Sequence, residues 1–297
     1  MREQLAETLG ITTIVLSIGG GVGTTGPTAT ATADPQVDGT VLIGTGEAFG
    51  YPDGDGGVAP LTTLSGRVVS AGADAATVFA QRIAAFRADG VVYVTSTGSD
   101  AVVPVDDRPG LLPPALDPYG FVWTVPSTSA NGVAVHGLDG AGGPVLNGLA
   151  ADSRVVSMDV SRDGTRLLLT MVNAIGQSEL LVAGIIRGED NVPVSVGSSL
   201  PLLLTGNPVD AAWIDESQVI VLTGEGDATT AIAFQVGGPS TSLGSVPGAV
   251  QVVGGNGGGE GIRVLDAAGN VQQTRGRNWQ STGITATFLG VQQGRDR

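Results

Sequence analysis

The sequence predicts an all-β fold, because one short pattern recurs along the chain: an apolar strand, a tight polar turn and a second apolar strand. In its clearest copy, Val155–Val160 is followed by the turn Ser161–Gly164 and the strand Thr165–Thr170. Related copies surround the turns Asp117–Gly120 and Asp215–Ser217. Aligned on their last turn residue, successive copies lie 44 and 53 residues apart. Hairpins that recur every ~40 to 50 residues are typical of a β-propeller, so we predict five or six four-stranded antiparallel blades.

Earlier elements fit the same rhythm. Val41–Ile43 reads as a strand, and Val78–Phe86, Asp89-Gly90 and Val91–Val94 read as a hairpin. An Asp-Gly pair favours a two-residue hairpin turn, because both of its central residues need positive φ. We assign this hairpin to the second and third strands of its blade.

Later segments supply the outer strands and the final blade. Val133–Val135 and Gly143–Leu146 are assigned to the outer part of the blade that contains Tyr119. Ser178–Ile186 and Ala231–Val236 take the same place in the next two blades. The last blade is assigned to Val250–Val253, Arg263–Leu265 and Asn270–Thr274.

The N-terminal region differs from the repeats. Residues 1–9 read as a short helix, with Leu5 and Leu9 on one face, and Ile11–Ile18 reads as a β-branched strand. This short α/β segment is assigned to residues 1–26, a small, polar linker to 27–38 and the propeller to 39–297. We expect deletion of residues 1–36 to leave the melting temperature nearly unchanged, because one helix and one strand bury little surface alone.

Composition excludes several classes of function. The chain has 28 acidic and 14 basic residues and a net charge of −14, with no basic stripe for a nucleic acid. The same charge disfavours binding to an anionic membrane surface, and Ile11–Ile18 is far shorter than the ~20 residues of a spanning helix. We therefore expect no direct membrane insertion. Cysteine is absent, which excludes disulfides, thiolate metal sites and a cysteine nucleophile.

Candidate catalytic and metal-binding residues are few. His136 is the single histidine, and no G-x-S-x-G nucleophile motif occurs, so we assign His136 a structural or solvated place at a strand end. Only oxygen ligands remain for a metal, and Asp53–Gly57 lacks the further ligands of a calcium loop. We interpret Asp53–Gly57 and Asp106-Asp107 as solvated turns. No catalytic, cofactor or metal residue is assigned.

Glycine and tryptophan patterns also have ordinary structural explanations. Gly21–Gly26 matches G-x-G-x-x-G, but Pro27 follows where a dinucleotide site needs a helix. Trp123 and Trp213 occupy successive repeats, so we predict that both are buried between blades. Trp279 is less constrained by the pattern, and we leave its exposure open.

Several segments resemble a known family, the LpqB lipoproteins of actinobacteria. Pro114–Val125 resembles a signature blade of that family, and Val160–Arg166 and Ala212–Leu222 resemble the two blades after it. Gly269–Gln280 is similar to the closing segment. Glu3–Gly19 resembles the last helix and strand of a GerMN domain, which precedes the propeller in this family.

The resemblance implies an extracytoplasmic, membrane-associated lipoprotein. It also implies a non-catalytic accessory role in two-component signalling, through binding to the extracytoplasmic domain of the sensor kinase MtrB. The signal peptide, the lipobox cysteine and most of the GerMN domain have no counterpart here, so the chain looks like an N-terminally truncated member. We expect partner binding through loops at one face of the propeller, without a cofactor.

Two other functions remain open from the residues. A propeller enzyme of the lactonase or lyase type would need several carboxylates, with Ca²⁺, at one end of the channel. A glycan-binding propeller would need exposed aromatic rings, but aromatic residues make up only 4% of the chain. Three or more aspartate or glutamate oxygens within bonding distance of one point would favour the enzyme.

Overall fold

The computed structural model describes residues 41–45, 48–52, 58–61, 72–79, 83–96, 99–128, 132–140, 145–146, 149, 153–225, 228–254 and 261–293. These residues form a six-bladed β-propeller of antiparallel sheets, which confirms the predicted fold class. A short 3-10 turn, Glu189–Asn191, joins two strands of the fourth blade. In the described ranges, no helix is long and apolar enough to cross a membrane.

The first half of the chain contributes blades 1 to 3. Blade 1 consists of β1 (Val41–Gly44), β2 (Phe49–Pro52), β3 (Val58–Pro60) and the C-terminal strand β23 (Phe288–Gln293). Blade 2 consists of β4 (Ala73–Phe79), β5 (Ile83–Ala88), β6 (Val91–Ser96) and β7 (Val102–Asp106). Blade 3 consists of β8 (Ala115–Leu116), β9 (Val122–Thr124) and β10 (Ala134–His136). A bridge from Val145 to Ala134 adds its fourth strand position.

The second half contributes three more regular blades. Blade 4 consists of β11 (Arg154–Val160), β12 (Arg166–Val172), β13 (Ser178–Arg187) and β14 (Pro193–Leu202). Blade 5 consists of β15 (Asn207–Trp213), β16 (Gln218–Glu225), β17 (Ala228–Gln235) and β18 (Ser240–Ser245). Blade 6 consists of β19 (Ala249–Val253), β20 (Arg263–Asp266), β21 (Asn270–Arg275) and β22 (Asn278–Thr285).

The ring closes through blade 1, which combines both ends of the described chain. Strand β23 pairs antiparallel with β1, from Gly44 opposite Phe288 to Val41 opposite Val291. It also touches β4 in parallel, with Gln292 opposite Val78. The closing strand therefore comes from the end of the chain, and the repeated hairpins did not predict it.

The local hairpin assignments are confirmed with one correction. Asp89 and Gly90 have φ values of 51° and 78°, and they join β5 to β6, the second and third strands of blade 2. The segment 78–86 is not one strand, because β4 ends at Phe79 and β5 begins at Ile83. The described outer strands lie where the sequence places them, and residues 143–144 lie outside the described residues. The three strands assigned to the final blade are confirmed, and a fourth strand, β22, completes it.

Apolar side chains from neighbouring blades pack face to face and form the core. Trp123 is fully buried against Val155 and Leu167 of blade 4, and Trp213 is 3% exposed against Leu168 of blade 4. The prediction that both indoles are buried between blades is confirmed. Burial of a ring of this size removes about 150–250 Å² from water.

The innermost strands carry a repeated irregularity. A β-bulge interrupts the pairing of the first strand with the second in blades 2, 4, 5 and 6, at Asp74, Val156, Val209 and Val250. A bulge bends its strand and redirects the side chains beside it. Here the bulges lie on the strands that line the central axis.

Candidate functional site

The innermost strands enclose a central channel that holds a cavity of about 370 Å³. Its lining comes from all six blades, through strands β4, β11, β15, β19 and β23 and the start of β8. The lining is mainly small and apolar, but it includes the carboxyl groups of Asp74, Asp159 and Asp210. Every blade therefore contributes residues to this cavity.

Two channel carboxylates hold neighbouring blades together. Asp159 Oδ2 accepts a hydrogen bond of 2.9 Å from the backbone N–H of Trp213 in blade 5. Asp210 Oδ2 accepts one of 2.8 Å from the backbone N–H of Val252 in blade 6. Blades 4 and 5 therefore each use an acidic side chain of the innermost strand to satisfy a backbone donor of the next blade.

The same arrangement continues around the ring with neutral side chains. Gln251 in blade 6 donates to the carbonyl of Leu289 in blade 1 and accepts from the N–H of Leu289, both at 2.8 Å. Thr77 in blade 2 donates to the carbonyl of Val291 in blade 1 at 3.1 Å. The innermost strands are thus linked by side-chain to backbone hydrogen bonds across the closing blade.

Burial changes the acidity of the channel carboxyls. It raises the pKa of Asp159 to about 7, against the lowering effect of hydrogen bonds from Trp213 and Val160, and the nearby charge of Asp210 raises it further. Burial also raises the pKa of Asp210 to about 6, although bonds from Val252 and Ser157 oppose the shift. Two carboxyls in one low-dielectric channel cannot both ionise without cost. Burial therefore favours the protonated form of both groups, and their bonds to backbone N–H groups connect the blades.

A second polar cluster joins blades 2 and 3, and it corrects one interpretation. Asp106 does not lie in a solvated turn, because it is 7% exposed at the end of β7. Arg108 forms an ion pair with it at 2.7 Å, and Thr124 of blade 3 donates a hydrogen bond to it. Burial alone favours the neutral acid, yet these bonds lower the pKa of Asp106 to about 2. Its neighbour Asp107 remains exposed.

His136 belongs to this cluster. Its Nε2 lies 3.0 Å from Thr124 Oγ1 and 3.4 Å from Asp106 Oδ2, while its Nδ1 is buried without a hydrogen-bond partner. Burial lowers the pKa of His136, although the charge of Asp106 acts the other way. A catalytic triad uses both ring nitrogens, one toward the acid and one toward the nucleophile. In this cluster Nε2 faces both Thr124 and Asp106, so the two ring nitrogens are not divided between an acid and a nucleophile. His136 lies at the end of strand β10, as predicted.

A buried ion pair joins blades 3 and 4. Asp117 is fully buried and accepts hydrogen bonds from the backbone N–H of Tyr119 at 2.9 Å and from Trp123 Nε1 at 3.0 Å. Arg187 on β13 reaches Asp117 Oδ2 at 2.9 Å. The guanidinium carbon also lies 4.4 Å from the centroid of the Tyr119 ring. Arg187 of blade 4 therefore supplies the positive charge that balances Asp117 in the repeated turn of blade 3.

The outer edge of blade 4 exposes large apolar side chains. We define the blade 4 rim as the exposed apolar residues of this blade's outer strands and turns. Leu203 is 89% exposed, Ile175 77% and Leu200 68%, and Ile186 and Val194 are about half exposed. Exposed apolar side chains that form a patch are typical of contact surfaces for other molecules.

The remaining candidate residues divide between described and undescribed parts of the chain. Trp279 is partly buried and donates from Nε1 to the carbonyl of Leu243 at 3.0 Å, so its ring helps to join blades 5 and 6. The segments 1–26, 27–38, 21–26 and 53–57 lie outside the described residues. Within the described ranges, no group of three or more histidine, aspartate or glutamate side chains is placed to hold a metal ion.

Sequence reasoning did not single out Asp159, Asp210 or Arg187. A signal for the two channel acids was present, because each is a charged residue inside an apolar innermost strand next to a hairpin of the repeat. Alternation alone cannot distinguish a residue that faces the channel from one that faces solvent. No local signal links Arg187 to Asp117, because they lie 70 positions apart.

Comparison with known proteins matches this architecture to a family. The model of the lipoprotein LpqB β-propeller domain matches residues 52–287 of the chain. The match covers most of the chain and nearly all of the described blades. No curated protein matches the sequence at a significant level.

Solved structures share the fold at low sequence identity. TolB from Acinetobacter baumannii superposes with a TM-score of 0.58 at 14% identity, over 85% of this chain and 66% of its own. The tricorn protease gives a TM-score of 0.51 at 11% identity, over 82% of this chain and 29% of its own. A gluconolactonase from Xanthomonas campestris gives a TM-score of 0.45 at 16% identity, over 73% of this chain and 85% of its own. At such identities the likeness to TolB and to the tricorn protease extends to the fold alone.

Proposed function

Because the chain belongs to the family of the lipoprotein LpqB β-propeller domain, we propose that it is a non-catalytic binding protein of the cell envelope. Its partner is the extracytoplasmic domain of the sensor kinase MtrB, and binding modulates two-component signalling. The observation that carries this proposal is the apolar rim of blade 4. The polar groups of the channel have structural partners, whereas the rim has none among the described residues.

The rim combines two properties of a contact surface. Strand β14 spans Pro193–Leu202, and as the outermost strand of blade 4 it has one edge that pairs with no other strand of the described residues. Exposed apolar side chains, Leu200 and Leu203 among them, lie along it. Natural sheets usually protect such edges with charges, prolines or short strands. Strand β14 contains Pro193 and Pro201 but no charged residue, so this edge offers a partner apolar side chains rather than further strand pairing.

Charge beside the rim defines the chemistry of the partner. The turn that leads into β14 contains exposed Glu189 and Asp190, close in sequence to the exposed apolar residues Ile186 and Val194. The whole chain carries a net charge of −14. A partner surface with an apolar centre and basic residues around it is complementary to this arrangement. Such charges mainly accelerate association and are screened over about 8–10 Å at physiological salt.

Binding is tested with the full chain and the purified extracytoplasmic domain of MtrB. We expect association that weakens at high salt and that is lost in the double variant Leu200→Asp and Leu203→Asp. Thr241→Asp is the matched control, because it adds the same kind of charge to an exposed position on β18, the outermost strand of blade 5. Failure to bind at both salt concentrations would overturn the choice of partner. Equal losses in the rim and control variants would overturn the choice of surface.

A second function is favoured by one observation, the presence of Asp159 and Asp210 in the same cavity. A lactonase or lyase would use these carboxylates with Ca²⁺ and would need a further ligand, because the described residues place no group of three acidic or histidine side chains around a metal ion. This alternative requires turnover of a lactone or ester substrate that is abolished by a chelator and by Asp159→Asn. The binding function requires no turnover and no effect of the chelator on kinase binding. The two assays on one preparation separate the functions.

A further inference from the structure

The face of blade 6 that looks toward blade 1 changes character along its strands. Near one end it is apolar, where Leu265, Val271 and Ile284 pack with Ile43 of blade 1. Farther along, a polar row crosses the blade, because Arg263 lies opposite Gln273 and Gln273 lies opposite Gln280. Directly paired residues project from the same face of a sheet. The row therefore lies between blades 6 and 1, next to the apolar cluster of the same face.

Arg263 is a partly buried cation for which the described residues supply no hydrogen-bond or ion-pair partner. Its Nε and Nη1 atoms are closed off from solvent, and neither makes a hydrogen bond. Burial lowers the pKa of Arg263, since the charged form loses hydration. Buried polar groups are nearly always paired, and an unpaired buried charge is strongly unfavourable. An arginine in this state indicates that an anionic group is missing from its side.

A cavity of about 500 Å³ opens beside Arg263. Polar side chains from three strands of blade 6 line most of it: Arg263, Gln273, Arg275, Gln280, Ser281 and Thr282. In the part of the chain that the structure describes, no carboxylate forms an ion pair with Arg263 or Arg275. The partly buried guanidinium group of Arg263 and the exposed one of Arg275 thus line one cavity, in a chain whose net charge is −14.

We propose that this cavity, the blade 6 pocket, binds a phosphate dianion, either free or as the end group of a small polar ester. Two cations match a group that carries a charge of about −1.5 to −2 at pH 7 better than a single carboxylate. Guanidinium groups form strong, directional hydrogen bonds with phosphate oxygens. The amide and hydroxyl groups of Gln280 and Ser281 supply further hydrogen bonds, and the volume has room for a polar body beyond the phosphate. The pocket lies on blade 6 and does not rest on the partner proposed for the blade 4 rim.

The test is calorimetric titration of the full chain with four probes at constant ionic strength. Inorganic phosphate and glycerol 3-phosphate carry the dianion, glycerol lacks it and acetate supplies a single carboxylate. We expect both phosphate probes to bind and glycerol and acetate to bind at least about tenfold more weakly, the loss that corresponds to one charged hydrogen bond. Tighter binding of glycerol 3-phosphate would identify an ester as the ligand, and equal binding would identify free phosphate.

Three variants place the site. Arg263→Gln and Arg275→Gln are expected to weaken phosphate binding about tenfold or more. Arg277→Gln removes the same charge from an exposed position two residues beyond Arg275, outside the pocket lining, and is expected to change binding less than about twofold. Without phosphate, Arg263→Gln is also expected to raise the melting temperature, because it removes an unpaired buried charge.

Either of two results would overturn the proposal. The first is the absence of phosphate binding to the wild-type chain. The second is phosphate binding that Arg263→Gln and Arg277→Gln weaken equally, which would reflect general charge attraction. Calorimetry, and not the melting temperature in phosphate, decides between these results, because phosphate also stabilises many proteins without binding a site.

Discussion

The carboxylate of Asp159 accepts a hydrogen bond of 2.9 Å from the backbone N–H of Trp213, across the boundary between blades 4 and 5. This contact joins residues 54 positions apart, and a second contact of the same kind links Asp210 to Val252. Both acids line the central channel, where ionisation is unfavourable. The connections between blades are therefore sensitive to pH.

The first prediction concerns that sensitivity. The pKa values of Asp159 and Asp210 are about 7 and about 6 in the folded chain, above the ordinary value of 3.8, so the folded state holds their protons more tightly. Their stabilising contribution is complete below about pH 4 and is lost as the pH rises through 6 and 7. The slope is at most about 1.4 kcal/mol per pH unit for each group.

Denaturant unfolding from pH 4 to 8 measures this effect in the wild type and in the double variant Asp159→Asn and Asp210→Asn. The amide oxygens still accept the backbone bonds, so we expect the variant to gain stability relative to the wild type as the pH rises. Taking the difference between the two chains removes the contribution of His136, whose lowered pKa acts in the opposite direction. A difference that stays constant over this range would contradict the prediction.

The second prediction compares two buried indoles. Trp123 Nε1 donates to Asp117, whereas Trp213 Nε1 is buried without a partner. Replacement of either by Ala should cost about 3–5 kcal/mol. Replacement by Phe should cost about 1–3 kcal/mol more at position 123 than at 213, because only there does a buried carboxylate lose a donor. Equal costs of the two Phe variants would show that the hydrogen bond contributes little.

The third prediction concerns the ion pair between blades 3 and 4. Arg187→Met leaves the fully buried carboxylate of Asp117 without its counter-charge and should cost about 3–5 kcal/mol. Adding Asp117→Asn should restore part of the loss, since the buried group is then neutral. Equilibrium unfolding of both single variants and the double variant gives the coupling energy. Strict additivity of the two changes would refute the coupling.

The fourth prediction concerns ring closure. Gly290 on β23 lies against the backbone of Ala76 on β4, and an added Cβ would overlap the carbonyl of Ala76. Gly290→Ala should therefore separate blades 1 and 2 and destabilise the chain by about 1–3 kcal/mol or more, as overpacking does. Gly184→Ala is the control, because the space at that strand position is open. Melting temperatures that fall equally for both variants would argue against a closure role.

Much of the fold was accessible from the sequence because its repeated unit is local. A hairpin depends on neighbouring residues, so the Asp89-Gly90 turn and the strand pairs around Gly120 and Gly164 were predicted correctly. Burial of Trp123 and Trp213 also followed from their positions in apolar strands of the repeat. These features need only the alternation of side chains along a strand and the φ angles of a turn.

Contacts between distant segments decided the rest. The closing strand β23 pairs with β1 nearly the full length of the chain away, and Asp106 is buried because Thr124 and Arg108 surround it. The convergence of Asp159 and Asp210 in one channel depends on how the strands stack around the axis, whereas Arg263 and Arg275 come together through the local pairing of β20 with β21. The sequence by itself determined the blades and their turns, because short-range geometry specifies them. The tertiary structure alone decided which polar side chains of different blades meet, because burial and pairing between blades arise only when the ring has closed.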